Sequence, residues 1–161
     1  LWHCPGGGGQ VTASTTPEAA SREIHVLHRY WIAADVIRID FQEELAPIEH
    51  FDAQSLPAIR IIAYMSFWYA ALFVVVEGWR ALRLHDPAVD RLLSSDNVEL
   101  LRRYRNGVFH FQRKYWDDRM IDFVRGGAAS ASWVRELHLA IGDVLLERLR
   151  PSRAAGDATA S

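Results

Sequence analysis

Cysteine is nearly absent from this chain: Cys4 stands alone among 161 residues. A single thiol forms no intramolecular disulfide and supplies no cysteine-based zinc site. That fits a reducing compartment, and the expected location is cytoplasmic. The opening LWHCPGGGGQ has neither the basic stretch nor the apolar stretch of a secretory signal. The chain begins with Leu rather than Met, as a fragment, a tag remnant or translated upstream sequence would. Residues 1–15 are therefore read as a disordered or upstream segment and left out of the fold. Runs of strand-length alternation are lacking, and so is any internal repeat. No uncharged run reaches the ~18 residues of a membrane span. The apolar stretch 61–76, IIAYMSFWYAALFVVV, is closed by Arg60 on one side and by Glu77 and Arg80 on the other. It reads as a buried central helix, with no membrane partner. An excess of one charge is missing too: 18 basic and 20 acidic residues leave a net charge of −2. Net charge thus speaks neither for nor against a nucleic-acid partner, and the distribution of charge along the chain has to decide.

What is present is apolar material, half of all residues, enough for one sizeable core. Punctuation divides it into helices. The first is expected over 17–45, with Thr16 as its cap, Pro17 in its first turn, and Ile24, Leu27, Trp31, Ala34 and Phe41 at helical spacing. Pro47 stops it. A second helix is expected over 57–84, apolar nearly all round and therefore central. A short helix over 87–93 follows. A third long helix is expected over 96–115, opened by Asp96 and Glu99 as a capping-box-like pair. A shorter helix over 117–124 is broken by Gly126 and Gly127, and a last helix covers 132–149, with Pro151 at its end. The expected fold is all-α, a four- to six-helix up-and-down-type bundle. One domain spans 16–150, and 151–161 is a disordered tail.

The helix over 96–115 carries the chemistry. On a wheel of ~100° per residue, Leu100, Leu101, Tyr104, Val108, Phe111 and Tyr115 form the core stripe. Arg102, Arg105, Asn106, Phe109, His110 and Arg113 fall opposite. Acidic residues are missing between Arg102 and Trp116, whereas exposed helices usually mix both signs. Phe109 in the middle of a polar face suggests that another surface covers it. Gly107 permits close backbone approach. Both are assigned to a dimer interface, on a face packed against a second subunit or element.

Arginine clamps a phosphate with paired hydrogen bonds, and histidine moves protons near neutral pH. Arg105 and His110 beside an RNA backbone can cut it without metal or cofactor. The ribose 2′-hydroxyl attacks, His110 acts as base or acid, Arg105 stabilises phosphate charge, and a 2′,3′-cyclic phosphate and a 5′-hydroxyl result. Arg105-Asn106-x-x-x-His110, late on a long helix of a small all-α chain, resembles the Arg-x(4–6)-His motif of the HEPN superfamily. A polar residue commonly follows the Arg in that family, and Asn106 fits. The resemblance extends to the order of elements over roughly 17–149. It implies a HEPN-like bundle that homodimerises with two motifs facing one shared cleft. It also implies a metal-independent endoribonuclease of toxin or defence type, with RNA as substrate and a protein antitoxin as a further partner. Catalytic roles then fall to Arg105, His110 and Asn106, and RNA contacts to Arg102 and Arg113. Other HEPN members are non-catalytic, so a dimerisation or nucleotide- or protein-binding module stands as the alternative.

Weaker candidates surround this motif. Glu77 reads first as a local partner of Arg80 or Arg83, and second as a carboxylate orienting Arg105 or His110. His25 and His28 lack a third ligand at useful spacing and read as surface or interface residues. Glu43, Glu44, Glu49, His50 and Asp52 read as a polar loop around Pro47. Asp117 and Asp118 read as a helix cap.

Overall fold

The computed structural model describes residues 17–48, 52, 54–114 and 117–150. Thr16, Glu49, His50, Tyr115 and the segments 1–15 and 151–161 lie outside the described residues. Those described form six helices and no strand: α1 (Pro17–Leu45), α2 (Leu56–Ala81), α3 (Pro87–Leu93), α4 (Asn97–Phe109), α5 (Asp118–Val124) and α6 (Gly127–Leu149). The all-α bundle expected from the sequence is the architecture found.

α1 has the expected bounds. α2 begins one residue before Pro57 because Ser55 caps it, its hydroxyl oxygen accepting from the Ala58 N–H at 3.3 Å. It ends at Ala81 rather than near Leu84, because the chain turns left-handed at Arg83. α3 is capped as Asp86-Pro87 suggests, with the Asp86 carboxylate accepting from the N–H groups of Ala88 and Val89. α6 begins at Gly127, not Ser132. Gly127 takes φ +54°, which glycine adopts without a Cβ penalty, and the alanine-rich stretch after it continues as helix.

Neighbouring helices run antiparallel. Leu27 of α1 packs on Gly78 of α2, and Phe41 near the other end of α1 meets Trp68 at 5.6 Å. A Cβ at Gly78 would come within 2.6 Å of Leu27, so the close approach of α1 and α2 depends on that glycine. α2 is the central element: Trp68, Tyr69, Leu72, Phe73, Val75, Val76 and Trp79 are all buried. By length and composition it could cross a bilayer, yet half of its most apolar window is buried inside the bundle. Burial of each such large side chain contributes about 1.5–3 kcal/mol. Tyr69, Tyr104 and Phe123 form a triangle with centroids 5.6–5.7 Å apart, joining α2, α4 and α5. Trp133 of α6 meets Phe123 at 6.4 Å and donates to the Leu92 carbonyl of α3 at 3.1 Å, which draws the last two helices onto the same core.

Candidate functional site

α4 is amphipathic, and its buried residues, Val98, Leu101, Tyr104 and Gly107, recur every third position. Tyr104 fixes the roll of the helix. Its ring lies in the aromatic triangle and its hydroxyl is 2.9 Å from Ser66 Oγ on α2. Burial, partly offset by that hydrogen bond, pushes the Tyr104 hydroxyl pKa up, and burial together with Tyr104 pushes Tyr69 up to about 12. Both stay neutral at any physiological pH.

With the roll fixed, Arg105 points along α2. Its Nη2 donates to Glu77 Oε2 at 3.0 Å, its Nη1 donates to Asn106 Oδ1 at 3.1 Å, and its guanidinium lies 5.9 Å from the centroid of the Phe73 ring. Its Nε is buried with no acceptor among the described residues. The side chain is partly covered yet keeps an exposed edge, so the guanidinium is held in place without being closed off. The local reading of Glu77 is corrected here: its partner is Arg105, across the α2–α4 contact, rather than Arg80 or Arg83.

Beyond Arg105 the structure departs from the wheel. α4 ends at Phe109, and His110 is its C-terminal cap in extended backbone, φ −118° and ψ 134°. α5 folds back on α4, and Met120 fills the space above Gly107, where a Cβ would meet Met120 Cγ at 2.7 Å. Gly107 is thus covered by an element of its own chain. Phe111, expected in the core, is 92% exposed because it lies past the helix end. The expected capping box is absent: Asp96 is in helical backbone with no side-chain cap bond, and Glu99 instead receives two hydrogen bonds from Arg102. This pairing holds the Glu99 carboxyl below its ordinary range.

The apparent one-signed face is balanced by carboxylates of α2, α5 and the first turn of α4 itself. Arg102 pairs with Glu99, Arg103 with Asp122 at 2.9 Å, Arg105 with Glu77, and Lys114 with Asp118 at 3.4 Å. Arg113 is exposed and has no ion-pair partner among the described residues. Phe109 is half exposed and rests on Phe67 of α2, centroids 6.3 Å apart.

His110 lines an open pocket of about 380 Å³ with Phe111, Gln112, Lys114, Asp117 and Met120. Its backbone is tied down, since its carbonyl accepts from Gln112 Nε2 at 2.6 Å. Its side chain has no hydrogen-bond partner among the described residues. Arg105 is not part of this pocket. Arg105 and Asn106 are therefore brought together with Glu77, while His110 sits around the helix end beside α5.

The sequence reading missed a second polar cluster. His138 of α6 is fully buried. Trp68 Nε1–H donates to its Nδ1 at 3.2 Å, so Nε2 carries the proton and donates to Asp35 Oδ1 at 2.9 Å. Arg38 Nε donates to the same oxygen at 2.7 Å, and Trp31 donates to the His138 carbonyl at 3.0 Å. Burial depresses the His138 pKa despite Asp35 beside it. Burial alone would raise Asp35, but hydrogen bonds from Arg38 and His138 outweigh it and lower that carboxyl. His138 at regular spacing among Val134, Leu137 and Ile141 was the available signal. His25 donates to the Ser21 carbonyl and His28 stacks on Trp31 at 5.8 Å. Among the described residues, no three His, Cys, Asp or Glu side chains are grouped as a metal site. The chain matches no protein-family model, and no curated protein or solved structure is significantly similar to it.

Proposed function

We propose that this chain is a HEPN-like RNA-binding protein that cuts RNA without a metal ion, at a site completed by two copies of the chain. One observation carries the reading: the Arg105 guanidinium is pre-positioned by Glu77 and Asn106, five residues ahead of a histidine with a free side chain. A held guanidinium loses little entropy on meeting a phosphate. In the reaction the 2′-oxygen bonds to phosphorus as the bond from phosphorus to the 5′-oxygen breaks. One His110 accepts the 2′-hydroxyl proton, and the other copy's His110 protonates the departing 5′-oxygen. Arg105 stabilises charge on the non-bridging oxygens, and Arg113 adds phosphate affinity. Arg102 is committed to Glu99, so it contributes less than the sequence alone implies. Two copies are invoked because Arg105 and His110 of one chain do not line one pocket. The test is RNA incubated in EDTA with the wild type, Arg105→Ala and His110→Ala. Cleavage by the wild type alone supports the mechanism; equal activity in all three sinks it.

A second reading is a non-catalytic dimerisation module, favoured by two exposed rings, Phe109 at the last position of α4 and Phe111 just past it. Aromatic rings in such a position are apt for burial against a partner. Light scattering combined with the EDTA assay separates the two readings, since this one predicts a dimer that never cleaves.

A further inference from the structure

The C-terminal end of α2 holds a second group of cationic side chains, remote in sequence from α4. Arg83 has φ +51°. Leu84 N–H donates to the Trp79 carbonyl and Arg83 N–H to the Arg80 carbonyl, both at 3.1 Å. These two bonds are a Schellman ending, in which glycine ordinarily takes the left-handed position. An arginine there places a long cationic side chain where the backbone alone favours none, and strain of this kind gathers at sites that use the side chain.

A pocket of about 550 Å³ opens at this turn. Trp79, Leu84 and Leu93 give it an apolar wall, while Arg80, Arg83 and His85 give it cationic and donor groups. Neither Arg80 nor Arg83 has an ion-pair partner among the described residues. Asp90, the carboxylate in the lining, lies 3.4 Å from His85 Nδ1. The decisive group is Trp79. Its side chain is 1% exposed, and its Nε1–H is buried without an acceptor among the described residues. An indole N–H can only donate, and a buried donor left unpaired is costly. Trp79 lines the pocket, which thus combines an unpaired indole donor in its wall with two guanidinium groups that lack an ion-pair partner among the described residues.

We propose that this pocket binds a small phosphomonoester of mononucleotide size, its phosphate held by Arg80 and Arg83 and an acceptor on its organic part taking the Trp79 Nε1–H. A carboxylate is satisfied by one arginine, whereas a phosphate has oxygens for two and matches their forked geometry. The volume lies within the range of small-molecule pockets, and the apolar wall suits a base or sugar. A free nucleotide and the 5′ end of an RNA share this chemistry.

The test follows the indole N–H signals of the full chain by ¹H–¹⁵N NMR, with Trp79 assigned through Trp79→Phe. AMP, GMP, CMP, UMP, adenosine and a short RNA with or without a 5′-phosphate are titrated. The expected result is a saturable shift of the Trp79 signal with at least one phosphomonoester and none with adenosine or the 5′-hydroxyl RNA. Response to the 5′-phosphorylated RNA alone supports the site with an RNA end as its source. Arg83→Gly keeps the left-handed turn while removing the arginine side chain, so it should fold normally and bind at least tenfold more weakly. Arg80→Ala should weaken binding similarly. No Trp79 shift at millimolar phosphomonoester, adenosine binding as well as AMP, or wild-type affinity in Arg83→Gly would overturn the proposal.

Discussion

Arg105 and Glu77 join across the α2–α4 contact at 3.0 Å, while the Arg105 Nε beside that bond is buried without an acceptor among the described residues. Both side chains keep some exposure, 28% and 48%. The pair should therefore act more on geometry than on stability. A double-mutant cycle with Glu77→Ala and Arg105→Ala, read by urea unfolding, should give a coupling of about 0.2–1 kcal/mol. A coupling above about 2 kcal/mol would mean that the pair is a folding element instead.

The His138–Asp35 pair predicts a pH dependence with two windows. His138 is depressed in the fold below its ordinary 6.5, chiefly by burial, so the unfolded chain binds more protons there. Its favourable contribution is complete above about pH 6.5 and is lost as pH falls below it. Asp35 is lowered in the fold from 3.8, so its contribution is present above that value and lost on further acidification. Urea midpoints should fall between pH 8 and pH 5. In His138→Gln, where an amide keeps a donor and an acceptor, that fall should be much smaller; an unchanged slope counts against the assignment.

Gly142 lies under the Trp31 indole, where a Cβ would come within 2.6 Å of Trp31 Cε2. The indole is pinned by its bond to the His138 carbonyl and cannot simply rotate away. Alanine normally gains about 1 kcal/mol over glycine in a helix interior. Here Gly142→Ala should instead destabilise by about 1–3 kcal/mol through overpacking. Trp31→Ala should make the same substitution tolerable, and thermal melts of the two single variants and the double decide it.

Replacing Arg83 with glycine relieves a left-handed residue and removes a cation from a helix C-terminus, which is mildly favourable there. The net expectation is a gain of up to about 1 kcal/mol in urea unfolding. A loss of stability would show that the arginine side chain supports the fold.

Phe111 is exposed, so Phe111→Ser should leave the urea midpoint of dilute protein within about 0.5 kcal/mol of wild type. Weaker self-association of this variant in light scattering would place Phe111 in the contact between copies. Unchanged association would exclude it.

Features set by local pattern were readable before the structure. Pro17 and Pro47 bracket α1, and the spacing of Leu101 and Tyr104 marks the buried side of α4. Features set by tertiary contact were not. The wheel carried Phe111 into the core because nothing near it in sequence announces that the helix ends at Phe109, where α5 folds back and Met120 covers Gly107. Glu77 and Arg105 are 28 residues apart, and Asp35 and His138 are 103 apart, so each pair exists only once two helices have packed. The left-handed turn at Arg83 was hidden for another reason: its usual marker is glycine, and none is there.

The internal pairing of the α4 cations also sets how RNA binding should respond to salt. Five unpaired cations on a single strand would release counterions with a slope of about −3.5 in log K against log salt concentration. Arg102, Arg103, Arg105 and Lys114 already have carboxylate neighbours, which leaves Arg113 as the cation of that stretch with no ion-pair partner among the described residues. The slope should then lie near −0.7 to −1.5, so that association through this face is less sensitive to ionic strength than the count of cations implies and depends more on fit.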